Sequence, residues 1–334
     1  MWQSHLSYHP RIGYTFTPNF KARIPHESGG YLMRTNTSGF RSEREFVPEK
    51  PLGSFRALLF GDSQTAGLGV NNRQRYSDLL ETSIPSLEVY NYGLSGSGTD
   101  QQYLAYQIFG EIDHDLLIIG MYVEDAIRVA SRYLTFNNGS GQPVLFAKPY
   151  YELIDGELQL HHVPVPKRPL SPGSAQVDST PMLATAMSST LRRAAQRIGI
   201  ADLVRKARRT QHAAAYQFAD GSDWNLLSSI LRQWIEQSPV PVLLLPIPMW
   251  ASIERASSAT GYRARVAELA HATGCLIHDP LADMSLYPAE QRRSFTFKKD
   301  KHLSADGHRA LATSLVPILK EIIDRKCPRV APII

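Results

Sequence analysis

The chain has 334 residues, of which 43% are hydrophobic and 20% are charged, and its formal net charge is +5. This composition allows a folded core and excludes a disordered chain, and the length fits one large α/β domain with insertions or two domains. Part of the positive charge lies in one run that contains Arg205, Lys206, Arg208 and Arg209. We interpret this run as a solvated helix face rather than a nucleic-acid site.

The cysteines and the N-terminal residues indicate the cellular compartment of the protein. Cys275 and Cys327 are too few for a disulfide framework or a four-thiolate zinc site, and they favour a reducing environment. Residues 1–10 lack the basic and apolar regions of a signal peptide, and the sequence has no run of the roughly 18 apolar residues that a membrane span needs. We therefore expect a cytoplasmic protein.

The chain in order predicts an arm followed by alternating strands and helices. Residues 1–54 are rich in turn-forming and aromatic residues, and we interpret them as an arm packed on a main domain at 55–334. Apolar runs predict strands at 55–60, 87–92, 116–122, 240–247 and 275–278. Helical spacing predicts helices at 73–84, 100–112, 126–134, 223–237, 253–273 and 304–323, the last with Ser304 as N-cap. This order predicts one doubly wound, five-stranded parallel sheet.

Residues 137–222 interrupt the alternation, and we expect an insertion that covers or edits the site. Within it the sequence predicts a hairpin at 148–165 around Asp155-Gly156, a loop at 164–181 and a helix at 182–212. His161 and His162 lie in the hairpin, where adjacent side chains point to opposite faces, so we predict no metal site there.

The first candidate for chemistry is Ser63, in the sequence Gly61-Asp62-Ser63 directly after the first strand. Ligands bind at the carboxyl ends of strands in open α/β sheets, and a helix that follows the turn favours negative charge at its start. Taken alone, the tripeptide fits a polar turn equally well.

Two further stretches fit a serine nucleophile. Asp300 lies two residues before His302, just ahead of the last helix, so the acid can orient the imidazole while the imidazole takes a proton from a serine. The loop after the second strand is glycine-rich, and Gly96 there lets backbone N–H groups approach an oxyanion. Singly, each residue also fits a structural role, and their joint appearance favours a site.

Together these residues resemble the SGNH, or GDSL-type, hydrolase superfamily. Residues 61–63 match its first block, residues 91–96 match its second with Gly96 at the oxyanion glycine, and Asp300 and His302 match its last block. The resemblance covers about 55–134 and 223–324, and short segments at 9–10, 13–14, 100–103 and 148–149 are similar to an uncharacterised bacterial subgroup. It implies a flavodoxin-like three-layer α/β/α sandwich with a five-stranded parallel sheet. Family members include esterases, lipases, carbohydrate deacetylases and some acyltransferases.

Two positions depart from the family pattern. The acid usually stands three residues before the histidine, where this sequence has Lys299, although the shorter spacing also occurs in the family. The asparagine of the third block, whose side chain donates to the oxyanion, is replaced by Asp125. An ionised carboxylate cannot donate, and losing one such donor costs about 10²–10³ in rate. Burial that raises the pKa of Asp125 would let it donate as the neutral acid.

The resemblance therefore implies a serine esterase. Ser63 is the nucleophile, His302 the base and then the acid, and Asp300 orients His302. The N–H groups of Ser63 and Gly96 would stabilise the oxyanion, with Asp125 in the third position. We expect an ester of a small acyl group such as acetyl, on a carbohydrate or a secondary metabolite, with no cofactor, no metal and no nucleic-acid partner. An acyltransferase that uses the same acyl-enzyme and a non-catalytic binding protein remain open alternatives.

Overall fold

The computed structural model describes residues 5–137, 142–170 and 214–326. Its first part is an arm of two antiparallel hairpins. β1 (Leu6–His9) pairs with β2 (Gly13–Phe16), and β3 (Lys21–Ile24) pairs with β4 (Tyr31–Arg34). Buried aromatic and aliphatic side chains of the arm join the same hydrophobic core as the main domain. The arm is therefore packed on the domain.

The main domain is built on a five-stranded parallel sheet. Its strands are β5 (Phe55–Gly61), β6 (Leu87–Asn91), β7 (Leu116–Tyr122), β12 (Val242–Ile247) and β13 (Leu276–Ile277), in the order β13-β12-β7-β5-β6. Every residue of β5, β7 and β12 is buried, which explains their continuous apolar runs because a central parallel strand is covered on both faces.

Helices cover both faces of the sheet. The helices are α1 (Ser63–Ala66), α2 (Tyr76–Ser83), α3 (Thr99–Phe109), α4 (Asp125–Arg128), α5 (Ser222–Gln237), α6 (Trp250–Ile253), α7 (Thr260–Thr273), α8 (Pro280–Met284), α9 (Ala289–Ser294) and α10 (Ala305–Lys326). α2 packs against α10, while α3 packs against α5 and α5 packs against α7. This arrangement confirms the predicted α/β/α sandwich. At the start of α10, Ser304 Oγ accepts a hydrogen bond from the Gly307 N–H at 3.2 Å, as expected of an N-cap.

The predicted helix at 126–134 is wrong beyond its first turn. α4 ends at Arg128, and β8 (Tyr133–Asn137) follows and pairs with β9 (Pro143–Ala147). Ser131 explains the break because its hydroxyl donates to the Tyr133 carbonyl and accepts from the Tyr133 N–H, an alternative to helical hydrogen bonds.

Three other predictions are refined. The hairpin at 148–165 forms as β10 (Tyr150–Ile154) and β11 (Glu157–His161), with Asp155 and Gly156 at positive φ in the turn. The helix predicted at 253–273 is divided into α6 and α7, since Arg255 has φ 60° and cannot continue α6. The helix predicted at 73–84 is a 3₁₀ turn at Asn72–Gln74 followed by α2.

Several predictions fall outside the described residues. These are the helix at 182–212, most of the loop at 164–181, the basic run at 205–209 and Cys327. In the part of the chain that the structure describes, none of the helices combines the length and the apolar character needed to cross a bilayer.

Candidate active site

Ser63 is the first residue of α1 and lies at the carboxyl edge of the sheet, directly after β5. Asp62 precedes it as the N-cap, and its Oδ1 accepts a hydrogen bond from the Gln64 N–H at 2.8 Å. The cap fixes the turn between strand and helix and so fixes the position of the serine. Ser63 itself is only 5% exposed.

His302 faces Ser63 from the loop before α10. Its Nε2 lies 2.8 Å from Ser63 Oγ, a hydrogen-bond distance between residues far apart in sequence. The loop is held to the serine turn by Gln64, whose side-chain oxygen accepts the Leu303 N–H at 3.0 Å. An isolated bridge between Thr296 and Leu303 closes the same loop.

Asp300 stands behind His302. Its Oδ1 accepts the His302 backbone N–H at 2.9 Å, and its Oδ2 lies 3.3 Å from His302 Nδ1, without the alignment of a full hydrogen bond. Such contacts are often long in unliganded enzymes and tighten when substrate binds. Burial alone would raise the pKa of Asp300, but contacts with His302 and His26 hold that pKa well below its usual range. The ionised carboxylate favours the tautomer with hydrogen on Nδ1, which leaves Nε2 free to accept the serine proton.

The glycine-rich loop lies beside the serine turn. The Tyr92 N–H donates to Leu59 O at 2.7 Å, and the Leu94 N–H donates to Gly61 O at 3.0 Å, so the loop continues along the end of β5. Gly96 is exposed at the tip of this loop with φ +83°, a conformation that favours glycine. The hydroxyl of Tyr14, from the arm, donates to the carbonyl of the neighbouring Ser95 at 2.7 Å.

Asp125 is completely buried in a charged network next to the turn that carries Ser63. Its Oδ2 accepts from the Thr99 hydroxyl at 2.9 Å, and its Oδ1 lies 3.4 Å from Arg128 Nη1. The same Nη1 contacts Asp62 Oδ2 at 2.5 Å, and that carboxylate oxygen lies 3.4 Å from Ser63 Oγ. Asp125 is therefore connected to the nucleophile through Arg128 and Asp62.

The charges of this network shift the pKa values of its members. Burial raises the pKa of Asp125 above its usual range, Arg128 opposes that rise, and the nearby Asp62 adds to it. Although burial would lower the pKa of Arg128, the surrounding carboxylates raise it, so the guanidinium stays charged. Two buried carboxyl groups beside one guanidinium favour a proton on Asp125.

A residue of the arm also contacts the site. His26 Nε2 lies 2.6 Å from Asp300 Oδ2, and the neighbouring Glu27 accepts hydrogen bonds from two backbone N–H groups of the loop before His302. His26, Glu27 and Asp300 each offer one potential metal ligand within 4.8 Å of one another. A cation there would have to replace these hydrogen bonds, so we interpret the group as a hydrogen-bonded cluster rather than a metal site.

A family model matches most of the chain. The model of GDSL-like lipases and acylhydrolases matches residues 59–310, which is most of the chain. The chain belongs to the GDSL-like lipase/acylhydrolase family. Members of this family are ester-hydrolysing hydrolases, and the predicted family, fold class and enzyme class are thereby confirmed.

Solved structures similar to this GDSL-like chain share little sequence with it. A lipolytic G-D-S-L family protein from Veillonella parvula is 12% identical, with a TM-score of 0.42, and the match covers 80% of this chain and 99% of that one. A lipase/acylhydrolase from Enterococcus faecalis is 14% identical, with a TM-score of 0.40 and coverage of 80% and 96%. The hydrolase LAE5 from the metagenome of Lake Arreo is 14% identical, with a TM-score of 0.42 and coverage of 80% and 96%. The search of curated proteins found no match.

In this GDSL-like hydrolase, the structure brings three of the predicted site residues into direct contact. Ser63, His302 and Asp300 form a continuous series, Gly96 lies in a loop hydrogen-bonded to the end of β5, and Asp125 is linked to the serine indirectly. Sequence reasoning missed His26 and Arg128, because neither lies within a motif of the family.

Proposed function

We propose that this GDSL-like hydrolase is a serine esterase that removes a small acyl group, such as acetyl, from a carbohydrate or a secondary metabolite. The observation that carries the proposal is the 2.8 Å contact between Ser63 Oγ and His302 Nε2, with the ionised Asp300 behind the imidazole. A nucleophile, a base within hydrogen-bond reach and a group that orients the base are what covalent acyl transfer requires.

The proposed reaction has two halves. Ser63 Oγ bonds to the acyl carbon while its proton passes to His302 Nε2, and the imidazolium then protonates the departing alcohol. Water next attacks the acyl-serine, His302 takes a proton from that water, and the proton returns to Ser63 Oγ as the acid leaves. Asp300 stabilises the imidazolium that forms in each half without taking up the proton itself.

Backbone donors are proposed for the oxyanion. Ser63 is the first residue of α1, where backbone N–H groups have no acceptor within the helix, and the loop of Gly96 lies along the end of β5. We propose these two N–H groups as donors, with Asp125 contributing as a neutral carboxylic acid. The raised pKa of Asp125 supports a neutral side chain, which has the O–H that an ionised carboxylate lacks.

The preference for a small acyl group rests on access. Ser63 is 5% exposed and His302 is 20% exposed at its side chain, so the approach to the nucleophile is restricted. A long acyl chain needs an open apolar groove beside the serine, whereas an acetyl group needs little room.

An ester panel tests the proposal. Esters of one chromogenic alcohol with acyl chains from acetyl to octanoyl, together with acetylated sugars, would be assayed with the wild-type protein and Ser63→Ala. We expect acetyl esters to react fastest and Ser63→Ala to lose about 10⁴-fold or more in kcat. Ser54→Ala is the matched control, because this half-buried serine lies at the opposite end of β5 from Ser63 and donates to Pro51 O.

Two results would contradict the proposal. Equal rates for Ser63→Ala and the wild-type protein would remove the nucleophile from the reaction. Fastest turnover of octanoyl esters would refute the small acyl group while keeping the esterase. Added alcohol that captures the acyl group in place of water would instead identify an acyltransferase.

A further inference from the structure

The turn of the second arm hairpin contacts the loop that carries the orienting acid. β3 ends at Ile24 and β4 begins at Tyr31, and the residues between them reach the segment before His302. Glu27 Oε1 accepts hydrogen bonds from the backbone N–H groups of Lys299 and Asp300, both at 2.9 Å. The side chain of the preceding His26 lies 2.6 Å from Asp300 Oδ2. The arm thus holds both the backbone and the side chain of Asp300.

The His26 ring is itself fixed in orientation. Its side chain is 9% exposed, and it meets Phe297 and Tyr31 edge to face, with ring centroids 4.5 and 5.9 Å away. The Ser28 backbone N–H donates to His26 Nδ1 at 3.2 Å. Gly69 closes the fourth side, because a Cβ atom there would lie 2.7 Å from His26 Cε1. This packing directs Nε2 at Asp300.

Asp300 needs such support because of where it lies. Its side chain is 30% exposed, and the next residue, Lys301, has φ 67°, so the acid sits in a short irregular loop rather than on a strand or helix. Oδ2 faces two imidazoles, His26 Nε2 at 2.6 Å and His302 Nδ1 at 3.3 Å. The ionised carboxylate can only accept, so His26 donates Nε2–H to it. The shorter of the two contacts, and hence the stronger restraint on the carboxylate, comes from the arm.

We infer that His26 is a positioning residue that holds the Asp300 carboxylate against His302. This inference rests on the proposed function of Ser63, His302 and Asp300. The family match begins at residue 59, so the arm supplies a part of the site that lies outside the matched region. His26 acts through Asp300 and touches neither the nucleophile nor the acyl group, so its effect falls on kcat rather than on substrate binding.

The test compares two replacements of His26. His26→Leu removes the donor and keeps apolar volume, whereas His26→Gln places an amide N–H near the position of Nε2. Small displacements of catalytic groups and loss of supporting hydrogen bonds cost about 10–100-fold in rate. We expect His26→Leu to lower kcat by about that factor with KM changed less than about threefold, and His26→Gln to recover most of the loss. Rate constants for labelling by a fluorophosphonate should follow kcat.

His9→Leu is the matched control. His9 is a half-buried histidine of the same arm whose Nδ1 accepts from the Arg11 and Ile12 N–H groups and whose ring lies 6.2 Å from that of Phe109, away from Asp300. It reports what loosening the arm does by itself. If His26→Leu does not fold, His26→Asn replaces it, because the shorter amide cannot reach Asp300.

The outcomes separate this inference from the proposed function. A wild-type protein that neither hydrolyses esters nor reacts with the probe would refute the proposed function. A reactive wild-type protein whose His26→Leu variant stays within about twofold in kcat would overturn the inference alone. Equal losses of kcat in His26→Leu and His26→Gln would also overturn it, as would equal losses in His26→Asn and His26→Gln if the Leu variant does not fold. A loss of kcat in His9→Leu as large as that in His26→Leu would overturn it as well.

Discussion

Asp125→Asn is the substitution that distinguishes a neutral from an ionised carboxyl at the position connected to the nucleophile through Arg128 and Asp62. Asp125 is completely buried, accepts from Thr99 and lies near Arg128, and burial together with Asp62 raises its pKa above the ordinary 3.8. The folded protein therefore binds a proton that the unfolded chain releases. The stability this proton confers is fully present below pH 3.8 and is lost as the pH rises toward the raised pKa.

Asp125→Asn has no carboxyl at this position, so its stability is not lost in this way as the pH rises. Relative to the wild-type protein, its free energy of unfolding should increase by about 1.4 kcal/mol for each pH unit within that window. Urea denaturation of both proteins at pH 5, 6 and 7 measures the difference, in which groups common to the two chains cancel. A difference that does not change with pH would show that Asp125 is ionised throughout, and would refute the neutral-acid account.

Activity gives the second half of this prediction. A neutral carboxyl and an amide both donate, so we expect the two proteins to hydrolyse acetyl esters within about threefold at pH 6. The variant should become progressively faster than the wild-type protein as the pH rises and Asp125 ionises. A variant that is slower by about 10²-fold at every pH would show that the carboxyl itself has a role that an amide cannot replace.

Three other substitutions follow from the charges. Arg128→Met leaves the buried carboxyl groups of Asp62 and Asp125 without their cation and should cost about 3–5 kcal/mol of unfolding free energy by urea denaturation. A loss below about 1 kcal/mol would mean that the network is not paired in solution. Asp300→Asn should lower kcat by about 10³–10⁴-fold, because the amide no longer stabilises the imidazolium; an unchanged kcat would remove Asp300 from the site. Lys148→Met breaks the fully buried ion pair with Asp100 and should also lower the free energy of unfolding by about 3–5 kcal/mol. Lys148→Arg should lose less, because it keeps a cation beside Asp100, and equal stability of the Met and Arg variants would contradict this.

The sheet could be predicted from the sequence because its strands have local signatures. β5, β7 and β12 are buried along their whole length, and a strand covered on both faces is an apolar run in the sequence. The helix predicted after β7 was wrong, since helical spacing continued past Arg128 while Ser131 turned the backbone. Side-chain to backbone hydrogen bonds of that kind leave no periodic signal.

The site could be predicted in part for the same reason. Ser63, Gly96, Asp300 and His302 lie within short motifs, each next to the end of a strand or the start of a helix. His26 contacts Asp300 across 274 residues, and a histidine in a turn-rich arm has no local feature that reveals such a partner.

Arg128 could not be found from the sequence either. Its role depends on how the single turn of α4 faces Asp62 and Asp125. The burial of these two carboxyl groups makes Arg128 the cation of the site, and their burial has no local signature in the sequence.

The most direct measurement of the central claim is the reaction of Ser63 with a fluorophosphonate. Intact-mass and peptide mass spectrometry after labelling, with ester hydrolysis followed in parallel, would locate the adduct and relate it to activity. The account predicts one adduct per chain, on Ser63, formed at the rate at which hydrolysis is lost, and no adduct in Ser63→Ala. A wild-type protein that stays unlabelled at every pH, or that is labelled at another serine while hydrolysis continues, would contradict it.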